Sequence, residues 1–206
     1  LSLRSSWLDL DGAGSFQLDE TLATEGRVSW RWKDPDSMAL AGLLQFTGSP
    51  KRLDVHHELA EPLALTTDGS VSVASDKVTF ELTNAWSELE WPTERGALRS
   101  SHGQLVTRGT PDDIQINLAA AVGFDDGPEA EVLGEGSVRP TPDLEFRFAY
   151  ELAALDSAYA HADLRGTVSS QGRLVGERRD DELELDLLID ALEGTINGYA
   201  IEGAAE

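Results

Sequence analysis

The stretch FTGSPKRLDVHHEL at residues 46–59 decides the fold, because its pattern returns 61 residues later as TRGTPDDIQINLAA at residues 107–120. Each copy contains a glycine, a hydroxyl residue and a proline in succession. Glycine reaches backbone angles that other residues avoid and proline fixes its own, so this trio predicts a tight turn. Apolar and polar residues then alternate, which places the apolar side chains on one face of a strand. The repeated unit is therefore a turn followed by a one-sided strand, with His57 as an exception in an apolar position.

The same alternation recurs along the chain, most cleanly in LEFRFAYEL at residues 144–152. Turn signals separate such runs by about 8–15 residues, which is typical of an all-β fold with little or no helix. One-sided strands hide their apolar face by closing into a barrel, folding into a sandwich or curling into a trough. The repeated unit favours the trough: a long, curled, twisted, mainly antiparallel sheet that is open and apolar inside.

Four segments carry more local expectations. The glycines of residues 11–14 predict a turn, and Asp68-Gly69 predicts a hairpin between two short strands. Residues 93–103 are polar and predict a loop. Residues 153–162 form the only plausible helical segment of the sequence, with a loose connection as the alternative.

The domain organisation follows from the repetition. We expect one continuous β-repeat segment over residues 1–206, with approximate repeat units at 27–75, 76–138 and 139–206. The first residue is not Met and no signal peptide precedes the strands, which predicts a fragment of a much longer chain.

The charge of the chain excludes one class of partner. Asp and Glu total 38 against 16 Lys and Arg, for a formal net charge of −22. Such a surface repels nucleic acid, so we expect no nucleic-acid partner. The acidic residues alternate with apolar residues, as in ELELDL at residues 182–187. This alternation indicates that the acidic side chains lie on the solvent-exposed face of strands. The absence of cysteine excludes disulfides and thiolate metal sites.

Groups for catalysis do not converge in the sequence. His56 and His57 are adjacent in a strand and point to opposite faces, so they cannot share a metal, and His102 and His161 have no neighbouring ligands at a suitable spacing. No nucleophile elbow, phosphate loop or dinucleotide fingerprint is present. We therefore expect no enzyme activity and no cofactor.

One segment imitates a calcium-binding loop. Asp9, Asp11, Gly14 and Glu20 stand at four of its positions, but Ala13 occupies a ligand position and no amphipathic helix flanks the segment. We interpret it as a glycine hairpin and expect no metal.

Two further stretches carry a family resemblance. NAWSELEWP at residues 84–92 resembles a stretch that recurs in the TamB family, whose members are inner-membrane-anchored subunits of the translocation and assembly module. LEGTINGYAIEG at residues 192–203 is similar to another stretch of that family, although Ala200 stands where proline is expected. The turns of the opening repeat fit the same pattern. The residues that carry the resemblance are Gly48, Pro50, Trp86, Trp91, Pro92, Gly109, Pro111, Gly194 and Gly198.

The resemblance implies a function for the trough. TamB-like proteins, which are similar to AsmA-like and bridge-like lipid-transfer proteins, are long periplasmic proteins of Gram-negative bacteria anchored in the inner membrane. Their β-taco trough is thought to conduct phospholipid to the outer membrane, and a C-terminal domain meets the outer-membrane barrel TamA to support outer-membrane protein assembly and protein secretion. This chain would be a middle segment that contacts TamA only through regions outside it. The sequence leaves open whether the trough holds phospholipid acyl chains, unfolded outer-membrane protein clients, or both.

The residues expected to line the trough come from the apolar positions of the one-sided strands. They are Leu53, Val55, Leu59, Val78, Phe80, Leu82, Ile114, Ile116, Leu118, Leu144, Phe146, Phe148, Tyr150, Leu183, Leu185 and Leu187.

An alternative function is a cell-surface or periplasmic β-rich module that binds carbohydrate through Trp30, Trp32, Trp86 and Trp91. Tryptophans on a polar outer face would suit sugar stacking, whereas tryptophans among the apolar positions would suit lipid or a core. Alternation groups Trp30 and Trp32 with Val28, which favours the apolar side.

Overall fold

A computed structural model describes residues 2–5, 7–17, 22–33, 40–61, 63–93, 96–140, 144–159, 161, 163–179 and 182–205. The chain is all-β. Its fourteen strands are β1 (Ser2–Arg4), β2 (Leu8–Phe16), β3 (Thr24–Trp32), β4 (Leu40–Ser49), β5 (Arg52–Glu61), β6 (Leu65–Ala74), β7 (Lys77–Thr93), β8 (Gly96–Thr110), β9 (Asp113–Phe124), β10 (Ala130–Arg139), β11 (Glu145–Asp156), β12 (Thr167–Arg179), β13 (Glu182–Ile196) and β14 (Tyr199–Ala205).

The strands form one antiparallel sheet in which each strand neighbours the next along the chain, from β1 to β14. The sheet does not close, because β1 and β14 are its two edges. The predicted all-β fold with one open antiparallel sheet is therefore confirmed. Two compact units divide the chain, and we describe each by itself: unit 1 comprises residues 1–87 and 106–110, and unit 2 comprises residues 88–105 and 111–206.

Both turns of the repeated stretch lie where the sequence predicts them. Pro50 and Lys51 connect β4 to β5, and Pro111 and Asp112 connect β8 to β9. The glycine before each turn has a positive φ, 142° at Gly48 and 134° at Gly109. A β-carbon at Gly48 would also overlap the backbone carbonyl of Arg52. Glycine is thus required there by both the dihedral angle and the close approach of the next strand.

Four local predictions were wrong. Residues 11–14 lie inside β2, and Asp68-Gly69 lies inside β6. The hairpin after β6 is instead formed by Ser75 and Asp76, with φ of 50° and 63°, which are the angles of a two-residue type I′ turn. Residues 96–103, in the predicted loop, belong to β8. The predicted helix over 153–162 is strand up to Asp156 and then a 3₁₀ turn, Ser157–Tyr159; residues 160 and 162 lie outside the described part.

Gly69 lies in mid-strand because its neighbour approaches closely. A β-carbon at Gly69 would overlap the backbone carbonyl of Glu81 in β7. A glycine that marks a turn in the sequence can therefore also mark a tight strand–strand approach, which an Asp-Gly pair alone does not distinguish.

Bulges shift the register of several strand pairs, and one of them lies in β11 between Leu152 and Leu155. Within it, Ala154 has φ of 60° although it is not glycine. In β11 the extra residue lets both Leu152 and Leu155 pair with residues of one face of β12. Bulges thus keep apolar residues on one face where a strict period of two would turn them over.

The sheet leaves most of its apolar side chains uncovered. The accessible surface is 13818 Å², whereas the scaling relation for compact monomers gives about 9,400 Å² at 22.3 kDa. Among the described residues, the buried hydrophobic side chains are three alanines, Ala120, Ala121 and Ala130, and no large side chain is fully buried. The described residues therefore form no core of large buried side chains.

Candidate apolar binding face

Strand register defines one apolar face in unit 1, because directly opposed residues of an antiparallel pair share a face. One row of opposed residues runs Leu10, Trp30, Gly42, Leu59, Leu65 and Trp86 across β2 to β7. A second row runs Gly14, Gly26, Phe46, Val55, Gly69 and Leu82 across the same strands. We call the face with these rows the apolar face of unit 1.

Unit 2 has an apolar face of the same kind. One of its rows runs Leu118, Gly134, Tyr150, Gly172 and Ile189 across β9 to β13. Another runs Ile116, Gly136, Phe148, Leu174 and Leu187, and the next runs Ile114, Val138, Phe146, Gly176 and Leu185. We call this the apolar face of unit 2.

Aromatic rings on both faces lie over glycines of neighbouring strands. A β-carbon at Gly26 would overlap the ring of Phe46, and one at Gly176 would overlap the ring of Phe146. Gly134 stands in the same relation to Phe148. Since glycine has no side chain, the ring can lie flat against the backbone, where it shields the strand from water.

A polar row interrupts the apolar face of unit 1. His57, Thr67 and Asn84 oppose one another in β5, β6 and β7. Thr67 Oγ1 donates a hydrogen bond to Asn84 Oδ1 at 2.8 Å. Trp30 Nε1 donates one to His57 Nε2 at 3.1 Å, and the two ring planes differ by 11°. The polar row lies between the two apolar rows, so it is bounded on both sides by apolar side chains.

The electrostatics of this row are those of a neutral site. Burial lowers the pKa of His57, and the adjacent His56 lowers it further. The opposed residues on either side of His57 are Leu44 and Thr67, neither of which carries a charge. The imidazole of His57 is therefore neutral at neutral pH.

The apolar face of unit 2 contains a smaller polar pair. Tyr150 Oη and Ser170 Oγ lie 3.3 Å apart, on neighbouring strands. The phenol group can thus find a partner while its ring remains among apolar residues.

The most exposed leucines of unit 2 lie on β13. Leu183, Leu185 and Leu187 are 52%, 55% and 54% exposed. The described part of β14 pairs with β13 only from Ile189 to Ile196. Within the described residues, the first half of β13 is therefore paired on its β12 side alone, and its leucines are uncovered.

The structure places the predicted lining residues in two groups. Those from residues 53 to 82 lie on the apolar face of unit 1, and those from 114 to 118, 146 to 150 and 183 to 187 lie on the apolar face of unit 2. Leu144 comes before β11, where its carbonyl accepts a hydrogen bond from the backbone N–H of Arg178 at 2.8 Å.

Further members of the two faces were not among the predicted lining residues. Most of them lie in strands with apolar/polar alternation, and this alternation could have identified them. The sequence does not reveal which strands they pair with. They are Val28, Trp30, Leu44, Phe46, Leu65, Val71 and Trp86 in unit 1, and Val132, Val138, Leu152, Val168, Leu174 and Ile189 in unit 2.

The motif residues serve turns and faces rather than a chemical centre. Asn197 and Gly198, with φ of 53° and 82°, form the two-residue turn between β13 and β14. Gly194 has φ of 158°, and a β-carbon there would overlap the carbonyl of Thr167. Trp86 lies on the apolar face of unit 1, whereas Trp91 is 54% exposed at the end of β7, next to Pro92.

The opposite face of each unit is polar. In unit 1 one of its rows runs Ala13, Arg27, Gln45, His56, Asp68 and Thr83. His56 Nδ1 lies 2.6 Å from Asp68 Oδ1, and His56 Nε2 lies 3.1 Å from Glu58 Oε1. These hydrogen bonds raise the pKa of His56, with Asp68 as the larger cause.

Shallow hollows also occur on this polar face. Two of them, of about 440 and 320 Å³, adjoin Gln45 and Thr47. Charged and small side chains such as Glu25, Arg27 and Asp54 surround them. Both are open to water, so they do not shelter an apolar ligand.

The described residues contain neither a metal-binding cluster nor a helix suited to cross a membrane. Across the described ranges, no three His, Asp or Glu side chains converge in a way that could hold a metal ion. Asp9 and Asp11 of the calcium-like spacing lie in extended β2, and Glu20 lies outside the described residues. No helix in the described part of the chain has the length and apolar character needed to cross a membrane.

Comparison of the chain with protein-family models, with curated proteins and with solved structures gave no match. The function is therefore argued from the two apolar faces themselves.

Proposed function

We propose that this chain is a segment of a periplasm-spanning, TamB-like lipid-transfer protein whose apolar faces carry phospholipid acyl chains between the inner and outer membranes. The observation that carries the proposal is the uncovered apolar surface. Apolar rows cross each unit, yet the buried hydrophobic residues among those described are three alanines. Exposed apolar patches of this extent mark binding surfaces.

The energetics of the faces suit acyl chains. Burial of a methylene group contributes about 0.8 kcal/mol and needs no directional contact. A strand of ten residues spans about 33 Å, which exceeds the roughly 15 Å that one leaflet's acyl chains occupy in a bilayer. One face therefore accommodates a whole chain along the strand direction.

The mixture of leucine, valine and aromatic side chains supports a broad ligand range. The hollows lined by described residues are open rather than enclosed, and so would not select a single acyl length. A permissive surface is what a conduit for mixed phospholipids requires, whereas an enzyme needs converging polar groups.

The proposal extends to outer-membrane protein assembly. The first half of β13, residues 182–188, has hydrogen-bonding groups directed away from β12 and alternates leucine with acidic residues. An extended client strand could pair with such an edge. Contact with a TamA-like barrel is assigned to regions outside residues 1–206.

The carbohydrate-binding alternative depends on exposed tryptophans. Trp32 and Trp7 form an edge-to-face pair with ring centroids 5.0 Å apart, and both are partly exposed. In contrast, Trp30 and Trp86 share a row with leucines, and the Trp30 indole N–H is already engaged by His57. The position of these two residues favours lipid over sugar.

Site-specific photocrosslinking of the full-length protein in the Gram-negative envelope tests the proposal. A benzophenone amino acid replaces Leu185 on the apolar face or, separately, its neighbour Asp186 on the polar face. We expect phospholipid adducts at position 185 and none at position 186. Equal labelling at the two positions, or adducts at neither, would contradict lipid carriage, and sugar adducts near Trp32 would favour the alternative.

A further inference from the structure

The polar row in the apolar face of unit 1 has a defined hydrogen-bonding state. An indole N–H is a donor only, so the bond from Trp30 Nε1 makes His57 Nε2 an acceptor. A neutral imidazole with one acceptor nitrogen carries its proton on the other. The proton of His57 therefore resides on Nδ1.

Among the described residues, the Nδ1–H of His57 has no hydrogen-bond partner. Within the part of the chain that the structure describes, the His57 side chain takes part in a single hydrogen bond, which its Nε2 accepts from Trp30. His57 is half-buried, and its Nδ1 is not among the polar atoms shielded from solvent. The atom is thus a donor on an apolar face that a ligand can reach.

The surroundings of His57 select a neutral acceptor. Val55 and Leu59 flank it along β5, and Leu44 opposes it in β4. Its charged neighbours in the chain, His56 and Glu58, face the other side of the sheet, and the chain as a whole carries −22. A carboxylate or phosphate would find no balancing cation here, whereas an ester carbonyl needs only a hydrogen-bond donor.

We propose that His57 Nδ1 donates a hydrogen bond to the ester carbonyl of a phospholipid whose acyl chain lies on the adjacent apolar rows, and that Trp30 acts as a positioning residue that holds the imidazole in this tautomer. This inference rests on the proposed function of the face. The inference adds to that function a specific binding position, at which the ester carbonyl of a lipid lies in the same row as Thr67 and Asn84.

The test compares two ligands that differ only at the carbonyl. Diester and diether phosphatidylglycerol of equal chain length are titrated into the purified full-length protein, with displacement of a fluorescent lipid as the signal. One net hydrogen bond is worth about a fivefold preference, so we expect the wild type to bind the diester about fivefold more tightly. His57→Phe should bind both lipids equally, at the affinity of the wild type for the diether.

His56→Phe is the matched control, because it removes the neighbouring imidazole from the opposite face; it should keep the preference. Trp30→Phe should reduce the preference, and ¹⁵N shifts of His57 should show the Nδ1-protonated tautomer in the wild type and a loss of that single state in this variant. The spectroscopic change is not expected of a purely structural role.

The outcomes separate the two levels of the proposal. If neither lipid binds, lipid carriage fails, and the carbonyl contact fails with it. If both lipids bind equally to the wild type, or if His57→Phe retains the preference, the carbonyl contact alone is overturned. Should His57→Phe not fold, the diester-to-diether ratio of the wild type decides, since a ratio of one excludes the contact.

Discussion

His56 and His57 are consecutive in β5, lie on opposite faces of the sheet, and have pKa values displaced in opposite directions. Hydrogen bonds to Asp68 and Glu58 favour the charged form of His56, whereas burial among apolar residues disfavours that of His57. One peptide bond thus separates an imidazole whose charged form is favoured, on an acidic face, from an imidazole whose neutral form is favoured, on an apolar face.

A pH titration of the histidine ring signals by NMR checks this relationship. His56 should titrate above the ordinary value of 6.5 and His57 below it. Since the folded-state pKa of His56 is raised, its contribution to stability is complete below 6.5 and is lost as the pH rises through that pKa. The contribution of His57 has the opposite sign: it is complete above 6.5 and is lost as the pH falls through the lowered pKa. His56→Gln and His57→Gln assign the signals, and a reversed order would contradict the facing of the two rings.

Because the ring of Phe146 occupies the space next to Gly176, one added methyl group at Gly176 should lower the stability of the fold. Gly176→Ala places a β-carbon in the space of the Phe146 ring, so the ring must lift from the backbone. We expect a loss of about 1–3 kcal/mol in the free energy of unfolding, measured by urea denaturation. Gly203→Ala is the control, because nothing lies within 4 Å of a β-carbon there. Equal effects of the two substitutions would show that the ring does not cover Gly176.

The turn between β6 and β7 can be improved. Ser75 and Asp76 both have positive φ, which costs non-glycine residues about 1 kcal/mol or more each. The double substitution Ser75→Asn and Asp76→Gly supplies the preferred type I′ pair and should stabilise the fold by about 1 kcal/mol. The opposite change, Gly198→Ala in the existing Asn-Gly turn, should destabilise it. Thermal unfolding measures both, and a destabilised double variant would refute the turn assignment.

The exposed leucines of β13 should contribute to lipid binding but little to the stability of the fold. Leu185→Ser removes apolar surface that is already 55% exposed, so its effect on unfolding should stay within about 0.5 kcal/mol. Binding of a fluorescent phospholipid should nevertheless weaken. Leu133→Ser is the matched control, since Leu133 is 49% exposed but lies beside Glu131 and Glu135 on the polar face. Equal weakening by both substitutions would argue against binding on one face.

Local alternation was enough to identify the all-β fold and most of the apolar side. In residues 144–152 the period of two is unbroken, and β11 follows it to the bulge at Ala154. The turns at Pro50 and Pro111 were predictable because a glycine, a hydroxyl residue and a proline follow one another at both places. The predicted repeat boundaries at 27–75, 76–138 and 139–206 stay a prediction.

What the sequence could not provide was the identity of cross-strand partners. Asp68-Gly69 has the composition of a hairpin turn, and only the approach of Glu81 explains a glycine in mid-strand. The Trp30–His57 hydrogen bond joins residues 27 positions apart. Its discovery requires the register of β3, β4 and β5, for which the sequence offers no direct signal. The histidine in the apolar stripe was visible, but its partner was not.

The flat rings over Gly26, Gly134 and Gly176 have a consequence for motion. An aromatic ring that projected perpendicular to the sheet would form a ridge. A ligand that moved from strand to strand would lose contacts on crossing this ridge. Laid over a glycine, the ring fills a gap and adds little height, so the surface has low relief across the strands. A hydrocarbon chain on such a surface exchanges one set of dispersion contacts for another at nearly constant energy. Lateral diffusion across the strands should then be rapid, and the polar row at His57 is a place in unit 1 where the described surface offers a directional hydrogen bond.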